Sequence, residues 1–151
     1  MKKILVPIDG SDASRAAAET AVELAKNCGS EITFLTVVEI RHEFVFANYS
    51  DHALMGPDYL EIRENLIRMD TENSTRMLDK VVESLDCAGL KTGKTVVTGD
   101  PYAQIVNTAA EGEYDMIVMG HRGLNPLKRL FIGSVAKKVV DDSPCSVLIV
   151  K

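Results

Sequence analysis

Five short apolar runs, separated by stretches long enough for a helix, restrict this chain to an alternating α/β fold. The runs are Ile4 to Ile8, Ile32 to Val38, Thr95 to Thr98, Asp115 to Met119 and Ser146 to Val150. The first two are nearly unbroken and rich in β-branched residues, the mark of strands buried on both faces. Helical spacing fills the intervals. Ser11 offers an N-cap with Asp12 behind it, Ala17, Ala21, Leu24 and Cys28 share a face, and Gly29 is placed to end the helix. Pro57 and Asp58 open the longest helix, whose apolar stripe runs Ile62, Leu66, Met69, Met77, Val81 and Leu85. The polar stretch from Asp70 to Arg76 marks where that helix meets water. Asp100-Pro101 pairs a cap with an N1 proline, and Ile105, Val106, Ala109 and Ala110 give the third helix its apolar face. A fourth helix runs from Ser134 to Asp141 and is stopped by Pro144. Strand, helix and strand in succession imply right-handed parallel crossovers. The expectation is one domain over residues 1–151, an open five-stranded parallel sheet with helices on both faces.

Charge and cysteine usage narrow the function classes. The net charge of −5 leaves no basic surplus for phosphate neutralisation along a nucleic acid. It does not exclude a small phosphate ligand, which one helix terminus and a few cations can hold. Cys28, Cys87 and Cys145 are far apart and odd in number, which fits neither a disulfide framework nor a metal pattern. They read as buried small hydrophobes in a reducing compartment. Met1-Lys-Lys followed by Ile-Leu-Val imitates a secretory leader, but Pro7 and Asp9 interrupt the apolar run too early. No apolar stretch reaches membrane-spanning length. The expected location is the cytoplasm.

The chemistry concentrates after the fourth run, where Gly120-His121-Arg122-Gly123 is followed, nine residues on, by Gly133-Ser134. Strand, glycine-punctuated loop and helix start form an anion-binding arrangement. Glycines let backbone approach a bulky ligand, free N–H groups of the first helical turn point at it, and the helix dipole favours negative charge. Ser134 adds a hydroxyl donor. Any one of these glycines is as readily a turn residue; the four residues together are harder to read that way. A second glycine run, Gly89-Leu-Lys-Thr-Gly-Lys-Thr95, imitates a P-loop, but it has three residues between its glycines where four are needed and precedes a strand.

Gly-x2-Gly-x9-Gly-Ser at this place resembles the ATP-binding signature of the universal stress protein family. Lys2 to Ser11, with its Asp9-Gly10 turn, resembles that family's opening strand, and Ser143 to Val150 its closing strand, so the resemblance spans essentially the whole chain. It implies a Rossmann-like fold with strand order 3-2-1-4-5, where the connection reverses between strands 1 and 4. Ligands of α/β sheets bind at such a switch point, beyond the strand C-terminal ends. The resemblance further implies that Pro7, Ile8, Asp9 and Val37 line an adenine and ribose pocket. It implies that Met119 and Gly120 lie near the nucleotide, and that Gly123, Gly133, Ser134, Val135 and Ala136 hold phosphate. Family members often carry a hydroxyl residue at the position of Ala136, so one side-chain donor is lost here while the backbone donor stays. A homodimer through strand 146–150 is also implied, and an edge strand apolar on both faces is consistent with it.

These readings lead to an ATP-binding regulatory protein with little or slow hydrolysis. Asp9 could help hold a magnesium ion through phosphate oxygens, and Arg122, Lys128 and Arg129 could screen a triphosphate. No lysine stands in P-loop context, and neither a water-orienting residue nor a kinase set of metal ligands is evident. The alternatives are a true ATPase or phosphotransfer enzyme, and an interaction protein that has lost its nucleotide. The first strand–helix turn lacks Gly-x-Gly-x-x-Gly, which disfavours a nicotinamide enzyme. Residues 40–57 read as a long loop; its His42 and His52 lack a third metal ligand.

Overall fold

In the computed structural model the described residues are 1–39, 57–124 and 132–151. Strands and helices alternate through them as β1 (Lys3–Pro7), α1 (Asp12–Cys28), β2 (Glu31–Val38), α2 (Pro57–Glu83), β3 (Thr92–Thr98), α3 (Pro101–Glu111), β4 (Met116–Gly120), α4 (Ser134–Asp142) and β5 (Ser146–Val150). All pairings are parallel, and the sheet order is β3-β2-β1-β4-β5. The expected order is borne out. His42 and His52, with the rest of 40–56, and Lys128 and Arg129 lie outside the described residues.

The pleat of the sheet divides the core into two layers. From β1 and the residue that follows it, Ile4, Val6 and Ile8 pack with Ala17, Ala18 and Ala21 of α1 and with Leu78 and Val81 of α2. Leu5 points to the other face and meets Ile105 and Ala109 of α3 and Ala136 and Val139 of α4. This alternation follows from the period of two along a strand. The small residues along α1 let that helix lie close on the central strand, and all three are fully buried.

Local signals explain the helix ends. Ser11 caps α1 by accepting from the Ser14 N–H, and Gly29 closes it in the left-handed conformation at φ 65°, its N–H returning to the Ala25 carbonyl. Asp100 caps α3 by accepting from the Ala103 N–H, with Pro101 at the first helical position. Three sequence expectations need correction. Of the apolar stripe of α2, Ile62, Leu66 and Met69 are exposed and Leu85 lies past the helix end, so only its C-terminal part, around Leu78 and Val81, reaches the core. The cysteines are not buried: Cys28 is exposed, and Cys87 and Cys145 are half-buried. They sit at element ends, where helical or strand periodicity no longer decides which side faces in, and partial burial followed by the charge of Asp86 raises the Cys87 thiol. Ala110 is likewise exposed, since α3 needs only Ile105 and Ala109 to reach the sheet. The glycine run Gly89 to Thr95 leads into β3 at Thr92, and Lys94 pairs with Asp79 of α2 from within that strand instead of opening a helix.

Candidate functional site

The central strands part toward one end. β1 pairs with β2 over five positions, Lys3↔Glu31 through Pro7↔Leu35, but with β4 only at Ile4↔Met116 and Leu5↔Ile117. Toward its C-terminal end β1 therefore stays with β2 and parts from β4. The connection reverses at this same boundary, which is where α/β sheets form ligand crevices.

The β1 side of the crevice is tightly fixed. Pro7 ends the strand, and Ile8 is 2% exposed, its N–H bonded to the Leu35 carbonyl at 2.7 Å and its carbonyl accepting from the buried Thr36 hydroxyl at 3.0 Å. Asp9 follows and is exposed. Its Oδ1 accepts from both the backbone N–H of Ser11 at 3.0 Å and the Ser11 hydroxyl at 2.6 Å. Val37 lies on β2 opposite Val97 of β3 and packs partly into the second core layer.

On the other side, Met119 is 6% exposed and Gly120 closes β4 opposite Val150. Gly120 is strand rather than loop. A Cβ there would stand 2.6 Å from the backbone carbon of Ala13, so the first turn of α1 lies directly on it. At Gly123 a Cβ would stand 2.6 Å from Asp9 Oδ2. The Asp9 carboxylate thus fills the space the glycine leaves. His121 donates its backbone N–H to the Val150 carbonyl at 2.8 Å, and its Nδ1 lies 3.1 Å from the same oxygen. A carbonyl only accepts, so Nδ1 carries the proton in that contact.

The two halves of the glycine pattern meet here. The Gly133 N–H donates to the His121 carbonyl at 2.7 Å, folding the start of α4 back over residues 121–123. Gly133 is the N-cap of α4 and supplies no side-chain cap bond. Ser134 is exposed, Val135 half-buried and Ala136 3% exposed within the second core layer. Ala136 therefore spends its side chain on the core and has only its N–H to offer a ligand.

A search against protein families matches the universal stress protein family over residues 1–151. The chain belongs to the universal stress protein family. Universal stress protein YxiE of Bacillus subtilis is 34% identical over 151 residues, covering 99% of this chain and 98% of its own. Universal stress protein MJ0531 of Methanocaldococcus jannaschii is 33% identical over 150 residues, covering 99% and 82%. Among solved structures, protein MJ0577 of the same archaeon superposes with a TM-score of 0.82 at 27% identity, covering 99% of this chain and 95% of its own. A universal stress protein in complex with cAMP shares the fold with a TM-score of 0.60 at 23% identity, covering 99% and 97%.

Two residues of this universal stress protein escaped the sequence reading of the site. Ser14 is 4% exposed; its hydroxyl donates to the Ser11 carbonyl at 2.9 Å and accepts from the Asp9 N–H at 3.4 Å. Thr36 anchors the exit of β1, as above. All three bonds join a side chain to backbone, and spacing marks those of Ser14 only weakly, as a serine three after a cap. Among the described residues no group of three or more His, Cys, Asp or Glu could hold a metal ion, and no helix is long and apolar enough to cross a membrane.

Proposed function

We propose that this universal stress protein binds ATP in the crevice between β1 and β4 and acts as a nucleotide-dependent regulatory dimer in a stress response, with little or slow hydrolysis. One observation carries the reading. Gly120 and Gly123 are explained by the chain itself, through Ala13 and Asp9, but Gly133 is not. Its φ of −61° suits any residue, and among the described residues nothing lies closer than 3.5 Å to a Cβ built there. A glycine that none of the described residues requires is what a ligand pressing on the start of α4 would require. The N–H groups of Ser134, Val135 and Ala136 occupy the first turn, where no intrahelical acceptor exists, and among the described residues no side chain caps them. They form the phosphate end of the proposed site. Pro7, Ile8, Asp9 and Val37 form its adenine and ribose side, with Met119 and Gly120 at the floor. The cAMP complex of a distant family member is in keeping with an adenine nucleotide as the ligand class.

Magnitudes demand that these groups act together. A helix terminus stabilises an anion by on the order of 0.3–1 kcal/mol, up to ~2 when partly buried, whereas micromolar binding needs about 8 kcal/mol. Directed N–H bonds and burial of the base supply the rest. Magnesium would be held through phosphate oxygens: among the described residues Asp9 is the carboxylate between β1 and α1, and its Oδ1 already accepts two bonds from Ser11.

The test is to denature the purified protein, identify any released nucleotide, and titrate stripped protein with ATP, ADP and AMP. Micromolar ATP binding that Gly133→Val abolishes is expected. No bound nucleotide and no binding heat would overturn the reading, and steady ATP turnover abolished by Asp9→Ala would overturn its regulatory part. The dimer is assigned to β5, an edge strand whose Val147 to Val150 are only half-buried. A monomer in sedimentation at high micromolar concentration would refute it.

A further inference from the structure

We infer that Ser11 is a positioning residue of this site: its hydroxyl locks the Asp9 carboxylate against Gly123, so that the turn after β1 and the glycine segment after β4 are held in one arrangement. The inference rests on the proposed nucleotide site and names a residue outside it. The Ser11 hydroxyl has one proton to give and two lone pairs to accept with. It accepts from the Ser14 N–H at 3.1 Å, which caps α1, and it donates to Asp9 Oδ1 at 2.6 Å. The Ser11 backbone N–H adds a second bond to the same oxygen at 3.0 Å. With Oδ1 fixed twice, Oδ2 is directed over Gly123, where it stands 2.6 Å from the position a Cβ would take. The Arg122 carbonyl, 3.5 Å from the Ser11 oxygen, shows how closely the two segments approach.

This arrangement changes the meaning of two motif residues. Gly123 is glycine because Asp9 occupies its Cβ space, so a side chain there would displace the carboxylate before it reached any phosphate. Asp9 offers a ligand only one oxygen, and the direction of that oxygen is set by Ser11. One hydroxyl therefore does two separable things, capping a helix and aiming an acceptor.

The experiment separates them. Glycine serves almost as well as serine at an N-cap while alanine does not, and neither has a hydroxyl; threonine keeps it. If Ser11 positions Asp9, Ser11→Gly and Ser11→Ala lose ATP affinity equally, by about tenfold for a lost bond to a charged group, and Ser11→Thr retains it. If affinity instead follows stability, with Ser11→Gly near wild type and Ser11→Ala impaired, the inference is wrong. A readout without ligand guards against failure of the nucleotide reading itself. In the stripped protein, the Gly123 amide resonance is expected to move in Ser11→Gly and Ser11→Ala and to stay in Ser11→Thr. Wild-type protein that binds no adenine nucleotide would overturn the functional reading alone. A Gly123 resonance indifferent to Ser11→Gly and Ser11→Ala would overturn the positioning role.

Discussion

The two helix starts that flank the crevice are built in opposite ways. α1 begins with Ser11 as cap and Asp12 in its first turn, so a side chain and a carboxylate answer its free N–H groups. α4 begins with Gly133, with no side-chain cap and no acidic residue in its first turn. A helix of nine residues gains more from a cap, relative to its size, than one of seventeen, because short helices recover little of their nucleation cost. The shorter helix nevertheless lacks one. The difference teaches that α1 is finished by its own sequence, while among the described residues no side chain finishes α4; the proposed function gives that end to an anion.

The comparison can be broken most severely at Gly120, which seats the start of α1 on β4. A valine there collides with Ala13 backbone rather than with a movable side chain, and overpacking of that kind costs about 1–3 kcal/mol, occasionally more. Urea denaturation should show the midpoint falling with little change in slope; an unchanged midpoint would mean that α1 can slide without penalty.

Gly133→Asp sharpens the contrast directly. It gives α4 the cap and the negative charge that α1 already has, so the ligand-free protein should gain up to about 1 kcal/mol. The same carboxylate would repel phosphate, so ATP affinity should fall by about a hundredfold, on the scale of a lost charge-assisted contact. Stability and binding moving in the same direction would refute the idea that this end is left open for a ligand.

At the capped end, Ser11→Ala should cost about 1 kcal/mol of stability, read from thermal or denaturant unfolding. No loss would mean the two helix starts differ less than their geometry implies.

The smallest effect serves as a control far from the crevice. Asp115, just before β4, accepts the backbone N–H groups of Lys2 and Lys3 at 2.5 and 2.9 Å, which lowers its pKa below the usual carboxylate range. A depressed folded-state pKa gives stability that is present above the unfolded value and is lost as pH falls through the folded one. Asp115→Asn should flatten the acid limb of the stability curve and leave ATP binding untouched. A change in affinity would show the two ends of the sheet to be coupled.

Much of this was legible in the chain itself. The five apolar runs, the Ser11 and Asp100 caps and the Gly29 terminator are short-range signals, since each depends on residues within one or two turns. The glycine pattern marked the crevice for a similar reason: strand, loop and helix start are consecutive. β3 begins at Thr92, three residues before the apolar run, because its first residues pair with β2 without needing apolar side chains of their own. The exposure of the cysteines was not legible, because composition says what a side chain prefers and not where a helix ends.

What the sequence determined by itself, then, is the alternation of elements, their ends, and the family pattern. What only the tertiary structure decided is which glycine answers to what. Gly120 meets Ala13, 107 residues earlier in the chain, and Gly123 meets Asp9, 114 residues earlier; Gly133 meets no side chain among the described residues. Close approach across a parallel sheet depends on strand order and on the parting of β1 from β4, and no local pattern carries that information. The same holds for Ala136, a motif position in the chain that the packing of α4 turns into core.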